Sequence, residues 1–531
     1  MSKVASFLNQ HTTGNVFDTS RVLDAFSTDR SLLKIKPKAV AQPVSADEVR
    51  KLIRFSYQLA SRGMQLGVTA RGSGLDHTGA SIGSGMIIST AKLTRIKEID
   101  PRQRLVRIEA GVKIGELNKA LALHNLTVPV SADPEHTIGG LIANAHTGPM
   151  SGKYGSLLRY VEQLEAVLSS GEIIHTESLG KRKLRKKQKG DTLEAAIYRD
   201  LSQLIADNPG LVELMQSPSV GQTGYRGVSR VKYGSRFDLL PAFFGSQGTL
   251  GVVTEVIMRT EYISDPPLYI TAAFEVLEDA MRFASRAKAI NASRIDLYDI
   301  DIFNIAAANS KPLRILNKRP DSGFIVLVAL DDHSNGSRKR KLKKLRHELS
   351  YAVDWASDSA KDYDHQLEIS AILESYLNTT SRRVRLPFLD GVSIPVDRLA
   401  DYLSGLVNLS TKHRVALTGY GSVATNIYNV RPEIDITTVD GRKNTLSLLH
   451  DYSELVISLG GSLTGSSPEG RLKSIYALAD DLNPELAEFN RAVKSIFDPR
   501  SILNLGVKVD VNPRATVREL RVTPDCGIIT P

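Results

Sequence analysis

Between Gly460 and Arg471 the chain reads GGSLTGSSPEGR: four glycines, one proline and four hydroxyl residues. Glycine and proline at this density make a turn that presents side chains into a cleft. Its centre, Ser466-Ser467-Pro468, offers nothing that titrates near neutrality. Glu469 is the one carboxylate in the turn, readable as a base or as a solvated turn acid. Arg431 and Arg471 suit a two-pronged grip on a substrate carboxylate, because guanidinium is planar and always charged. An interdomain or surface ion pair is the equal alternative. Arg382, Arg383 and Arg385 beside LPFLDG are further candidates of this kind, and Tyr420 and Tyr428 offer hydroxyls or core rings.

Three more glycine-dense stretches lie in the first half, at 70–85, 137–155 and 245–255. Glycines after strands let backbone approach a pyrophosphate closely. Three such loops, each beside an apolar strand, point to a large anionic cofactor threaded among them. The glycines of RGSGLDHTG fall at 72, 74 and 79, which is not dinucleotide-fingerprint spacing. GYGSVA at 419–424 matches that spacing but runs into TNIYNV, where a helix should start, so it is rejected.

Short apolar strands alternating with helices position these loops over about 33–261. Ser45 and Glu48 stand in capping-box spacing ahead of a helix over 45–63. Further helices are expected at 114–125 and 191–207, with a hairpin turning at Ser169–Gly171. From about Pro266 the pattern becomes strand, helix, strand, repeated, which predicts a separate α+β sandwich. A last helix covers 484–497.

At 531 residues, 42% hydrophobic and 24% charged, the chain is long enough for two or three domains. No run is long enough to span a bilayer and the first residues carry no apolar signal core, so the expectation is a cytoplasmic protein. A single cysteine, Cys526, excludes an intrachain disulfide and a multi-cysteine zinc site. The net charge of +10 comes from two runs, 181–189 and 338–346, with seven cations each; without them it falls to about −4. The first run reads as a solvated loop. In the second, Leu342, Leu345 and Leu349 recur at helical spacing, giving an amphipathic helix with a lysine-rich face. No aromatics interleave with either run, which argues against specific nucleic-acid binding. Peripheral contact with an anionic membrane is the alternative to plain solvated surface. Trp355, the one tryptophan, reads as packing.

RGSGLDHTG, IEAGVKIGELNKAL, SADPEHTIGGLIANAHTG…KYG, FFGSQGTLGVVTE and FDPRSILNLGVK follow one another over roughly residues 71 to 508. They resemble the successive signatures of the FAD-linked oxidases with a PCMH-type (vanillyl-alcohol-oxidase-like) flavin domain. The most similar branch holds the D-lactate, glycolate and 2-hydroxyglutarate dehydrogenases. The resemblance implies an α+β fold: a two-lobed FAD-binding domain over 1–262, a substrate or cap domain over 263–480, and a C-terminal segment, 481–531, returning to the flavin domain. It assigns cofactor contacts to Arg71, Gly72, Ser73, Gly74, Leu75, Asp76, Thr78 and Gly79. Others fall on Asp133, Thr137, Gly139, Gly140, Asn144, Ala145, Gly148, Tyr154, Gly155, Val252, Val253 and Asn504. Gln247 replaces the usual Glu of GSEGTLG. Covalently flavinylated relatives have a histidine where this chain has Leu75, so FAD is expected to be non-covalent; His77, two residues later, reads as a surface or flavin-edge residue.

The same branch carries patterns resembling H-x-G-D-G-N-x-H-x-R-P, a metal grip, and G-G-S-x-S-G-E-H-G-x-G-R, whose histidine takes the substrate proton. Anchored on Val430-Arg431-Pro432, Ser422 and Asn429 replace the metal histidines and Thr425 the aspartate; Ser466 and Ser467 replace the Glu and His. Neutral Ser and Asn cannot hold a divalent cation unaided, so no metal is expected. The implied function is oxidation of a CH–OH group of a small carboxylate, with hydride passing to FAD by an altered mechanism or on an altered substrate. Glu469, Arg471 and Arg431 are left as its catalytic candidates, and electrons would pass to a quinone, a cytochrome or an electron-transfer flavoprotein. The alternative is a flavin-binding protein that has lost this activity and serves in binding or assembly.

Overall fold

The computed structural model describes residues 3–264, 266–308, 313–358, 364–377, 384–477 and 483–522. Arg382, Arg383 and Cys526 lie outside the described residues.

Ser45 caps the helix Ala46–Ser61 as its spacing suggests, its side chain accepting from Glu48 N. Glu48 does not complete the capping box. Its carboxylate reaches outward to the N–H groups of Thr13, Gly14 and Val44 and ties the N-terminal strand Asn15–Phe17 to this helix. That strand edges a four-stranded sheet in the order 15–17, 39–42, 86–89, 68–71, parallel except at the first pair. The second lobe is a five-stranded antiparallel sheet in the order 96–100, 105–109, 252–259, 161–167, 173–175. The loops at 71–79 and 245–251 leave or enter strands of these two sheets, which is how their glycines come to face one another.

The cap is one seven-stranded sheet, ordered 354–358, 268–274, 324–330, 294–299, 419–422, 427–430, 392–393. Both faces are covered, which explains the unbroken apolar run FIVLVAL: Val326, Val328 and Leu330 enter one core, Ile325, Leu327 and Ala329 the other. Helices Leu277–Ala289, Asn335–Leu349, Leu399–His413 and Val439–Ser458 cover the first face. Ile300–Ala308 and Asp364–Leu377 cover part of the second and leave the rest of that face toward the flavin lobes. GYGSVA begins as a strand, not a helix, and pairs with 294–299 and 427–430.

Two sequence expectations for the basic runs resolve differently. The amphipathic helix forms over Asn335–Leu349 with Leu345 and Leu349 buried. The first run is not a loop: Lys181–Lys187 is helical, because Leu184 packs onto the flavin-lobe core and Lys187 pairs with Glu194 at 2.6 Å. Trp355 packs against the cap core.

The helix Pro484–Phe497 returns to the flavin lobes, burying Leu486, Phe489, Val493 and Phe497 in their core. Just beyond it, Val68 N donates to Ile502 O and Asn504 N to Val68 O, so the tail runs beside the edge strand that leads into the first glycine loop. Lys494 and Asp498 fix this return. Lys494 Nζ donates to Asp498 Oδ2 at 2.7 Å and to the carbonyls of Thr249 and Leu503, while Asp498 accepts from Ile502 N and Leu503 N. Both side chains are buried. Removing one partner leaves an uncompensated buried charge, so Asp498→Ala should lose about 3–5 kcal/mol of stability in denaturant unfolding. Wild-type stability in that variant would contradict this reading of the junction.

Candidate active site

Two connected hollows lie in the flavin domain and at its seam with the cap. The first is a trough lined by Arg71, Gly72, Asp76, Gly139, Gly140, Asn144, Gln247, Gly248, Val252 and Val253. The second is a cavity of about 280 Å³ that shares Asp76, Gly140 and Asn144 with the trough. From the flavin side it takes Leu75, His77, His136, His146 and Gly148; from the cap it takes Arg294, Asp296, Tyr420, Ser422, Thr425, Asn429 and Arg431. The 460–471 turn contributes Ser466 and Ser467, with Lys473 just beyond it. A larger cleft of about 350 Å³ lies against the helix Leu399–His413, lined by Leu403, Leu406 and Val407, and meets none of the glycine loops.

The first glycine loop keeps its shape through Asp76, whose carboxylate accepts from Thr78 N, Ala80 N and Thr78 Oγ1. Burial pushes this carboxyl up to about 6. Arg71 runs behind the loop, donating to Thr28 O at 2.9 Å with its guanidinium over the Phe26 ring.

The remaining expected cofactor contacts do not form the hollow walls. Thr137 caps the helix Ile138–Ala143 and fills the space beneath Gly72. Ser73 bonds the Glu135 carbonyl, Gly74 packs on the Arg71 guanidinium, Gly79 on Leu33, and Thr78 Oγ1 is given to Asp76. Asp133 pairs with Arg30, and Tyr154 with Asp331 of the cap. Ala145 turns the chain at φ 43° and Gly155 ends the short helix Ser151–Tyr154. Asn504 is spent behind the trough, donating to Ala80 O and Gln247 O and accepting from Thr69 and Arg471.

Two of the three catalytic candidates are also turned away from the cavity. Glu469 is not a solvated turn acid: it is fully buried, accepting from Gly224 N at 3.0 Å and pairing with the equally buried Lys508 at 3.1 Å. Arg471 donates to Ile82 O, Leu505 O and Asn504 Oδ1 and stitches the turn to the first glycine loop and the C-terminal segment. Only Arg431 lines the cavity. Its Nε donates to Asp390 at 2.7 Å, an interaction that raises its already high pKa further against the cost of burial. Arg385 is held by Glu433 and stacks on Tyr376. Tyr420 faces the cavity, stacked on Tyr298 at 6.2 Å, whereas Tyr428 packs in the cap core against Tyr402.

Sequence reading missed Lys473, Arg294, Asp296, Asp390, His136 and His146, which carry most of the cavity's charge and imidazole. Lys473 Nζ donates to the carbonyls of Asp390 and Leu463, and burial lowers its pKa to about 8. Arg294 pairs with Asp296, which also accepts from Tyr298 Oη at 3.0 Å. Burial lowers all three histidines, His146 to about 4. The alternation of 294, 296 and 298 on one strand was the available signal, because it puts one charged face on a sheet otherwise read as apolar.

A two-lobed glycine-loop domain facing an antiparallel cap defines a class, the FAD-linked oxidases with a PCMH-type FAD-binding domain, and this chain belongs to it. Residues 37–177 match the family model described as FAD binding domain, and residues 268–507 the model for FAD linked oxidases, C-terminal domain. Within that family it is similar to a D-lactate dehydrogenase of Archaeoglobus fulgidus, at 24% identity over 91% of this chain and 95% of the relative. A D-2-hydroxyglutarate dehydrogenase of Haemophilus influenzae is 25% identical over 94% of this chain, which spans about half (50%) of that relative's length. The fold matches that of 4-ethylphenol oxidase from Gulosibacter chungangensis, with a TM-score of 0.69 at 14% identity, covering 96% of this chain and 97% of that one.

The trough fits FAD. Glycine backbone at Gly72, Gly139, Gly140 and Gly248 lines it in place of side chains, and a Cβ added at Gly248 would meet nothing nearer than Ala70 at 3.4 Å, an ordinary contact, so that wall is left clear. The family's metal does not fit. Ser422 Oγ donates to Ile295 O, Asn429 Oδ1 accepts from Gly391 N, and neither offers imidazole or carboxylate. Among the described residues, only His450, Asp451 and Glu454 bring three such ligand atoms within 4.8 Å, and Asp451 there is paired with Lys412 and His413. Because Glu469 serves the interior, Glu469→Ala should cost about 3–5 kcal/mol in denaturant unfolding and leave flavin reduction in the folded fraction intact. Full stability with reduction abolished would restore it as a base.

Proposed function

We propose that this chain is an FAD-dependent oxidoreductase that oxidises the CH–OH group of a small carboxylate, most simply a 2-hydroxy acid, without a divalent metal. The observation that carries this is Arg431. Asp390 takes its Nε and orients it, and no protein hydrogen bond is made by its terminal nitrogens among the described residues, so its fork can receive a carboxylate inside the cavity. Lys473 and Arg294 add positive charge to the same walls. FAD supplies the hydride acceptor when bound. The protein's own part is to seat the acid, keep water out at the seam, and hold Asp390 and Asp296 as counter-charges so that the cations do not repel one another.

The similarity to dehydrogenases of D-lactate and D-2-hydroxyglutarate supports the carboxylate. One relative, from Arabidopsis thaliana, is named for a cytochrome acceptor, which supports a separate electron carrier here. No described helix is long and apolar enough to cross a membrane. The exposed cations of Asn335–Leu349 would serve any peripheral contact with an anionic surface. A second reading, a flavin protein without dehydrogenase activity, is favoured by the neutral side chains at Ser422, Asn429 and Ser467.

Anaerobic mixing of the yellow protein with a panel of 2-hydroxy acids separates the two readings. The proposal expects the flavin band to bleach with at least one acid, equally well after chelator treatment. No bleaching across the panel supports the second reading, and bleaching abolished by chelator overturns the metal-free one. FAD should also pass into the supernatant on denaturation, since Leu75 offers no attachment atom; flavin retained in the precipitate would contradict this. Arg431→Gln should raise the half-saturating acid concentration by about 10- to 100-fold, the value of a charge-assisted pair at about 1.5–3 kcal/mol.

A further inference from the structure

Oxidation of a hydroxy acid needs a group that takes the hydroxyl proton, and the 460–471 turn presents Ser466 and Ser467 in its place. Three imidazoles line the cavity from the flavin side. His136 Nδ1 lies 3.2 Å from the Asp133 carbonyl and His146 Nε2 lies 3.0 Å from the Ser131 carbonyl. A carbonyl only accepts, so each of these rings has its N–H fixed there and keeps a lone pair on its other nitrogen, but neither has Arg431 or Lys473 among the charges that act on it. His77 makes no protein hydrogen bond among the described residues, and it stands among Arg431, Arg30, His136 and Lys473. The carboxylates and the lysine on these walls are spent. Asp390 and Asp296 neutralise Arg431 and Arg294, Asp76 holds the loop, and Lys473 is fixed as a donor to two carbonyls.

We propose that His77, carried by the cofactor loop, is the base that replaces the missing one, taking the hydroxyl proton of an acid whose carboxylate sits on Arg431 and Lys473. This rests on the 2-hydroxy-acid reading above. The O–H bond breaks and its proton goes to the free imidazole nitrogen. The electron pair left on oxygen becomes the second bond of the carbonyl, and the C–H pair leaves as hydride to FAD, so the acid loses two electrons and FAD gains two. Burial, Arg431, Arg30, His136 and Lys473 together hold the His77 pKa well below its usual 6.5, so the ring is neutral and able to accept at neutral pH. An arriving carboxylate adds negative charge beside those cations and raises the basicity of the ring as the substrate binds. The acid limb of the free enzyme's rate profile should accordingly lie below pH 6.5.

The test compares wild-type holoprotein with His77→Gln in anaerobic stopped-flow bleaching by the best 2-hydroxy acid. In parallel, affinity for the corresponding 2-oxo acid is read from the perturbed flavin spectrum. The expected result is retained FAD, unchanged 2-oxo acid affinity, bleaching slowed about 10²–10⁴-fold, and partial recovery with added imidazole. His77→Asn serves if the glutamine variant sheds FAD. Bleaching at the wild-type rate overturns the assignment, as does slowing without imidazole rescue together with weakened 2-oxo acid binding, which would mark a positioning role. Wild-type protein that no 2-hydroxy acid bleaches fails the functional reading itself, and the base assignment with it.

Discussion

The turn at 460–471 can present anything to a cofactor only because it is stitched to the flavin lobes, and Gln247 is the central stitch. Its side-chain oxygen accepts from Gly470 N at 3.0 Å while its nitrogen donates to Thr78 Oγ1 and Asn144 Oδ1. Its own carbonyl accepts from Asn504. An amide does both jobs at once, whereas a carboxylate at this position could only accept. Arg471 N and Leu472 N add bonds to the Thr78 carbonyl, and the Arg471 guanidinium closes the ring of contacts through Ile82, Leu505 and Asn504. Cofactor loop, cap turn and C-terminal segment are thereby one hydrogen-bonded unit.

Charge inside that unit follows one rule: among the described residues, no buried cation there is left without carbonyls or a carboxylate. Lys494 and Lys508 obey it in the interior, each with an acid and a carbonyl. Arg431 obeys it at the cavity wall with Nε alone, and that difference separates a structural arginine from one with a fork to spare. Arg471 lacks the spare fork, which is why its place in the turn does not make it a substrate clamp.

Much of this was legible in the sequence. Glycine loops and the motif order announced the FAD-binding architecture, and the residues 422, 425, 429, 466 and 467, picked out from two separate stretches, do line one cavity. What the sequence hid was side-chain direction. Glu469 and Arg471 belong to the right turn, but a tight turn sends successive side chains to opposite sides, and theirs enter the interior. Conversely, His77 read as a surface or flavin-edge residue, and Asp390 and Lys473 carried no pattern of their own, since tertiary packing alone brings them beside Arg431. The helix at 181–187 was hidden for a related reason: one leucine among seven cations is enough to anchor it once a core is there to receive it.

The most direct measurement is a crystal structure of the protein with FAD and a bound 2-oxo acid. The account predicts the cofactor's phosphates in the trough beside Arg71–Asp76, Gly140 and Gly248. It also predicts the acid's carboxylate on the terminal nitrogens of Arg431, and only protein and solvent around Ser422 and Asn429. A carboxylate bound away from Arg431, or a metal ion held at Asn429, would contradict it.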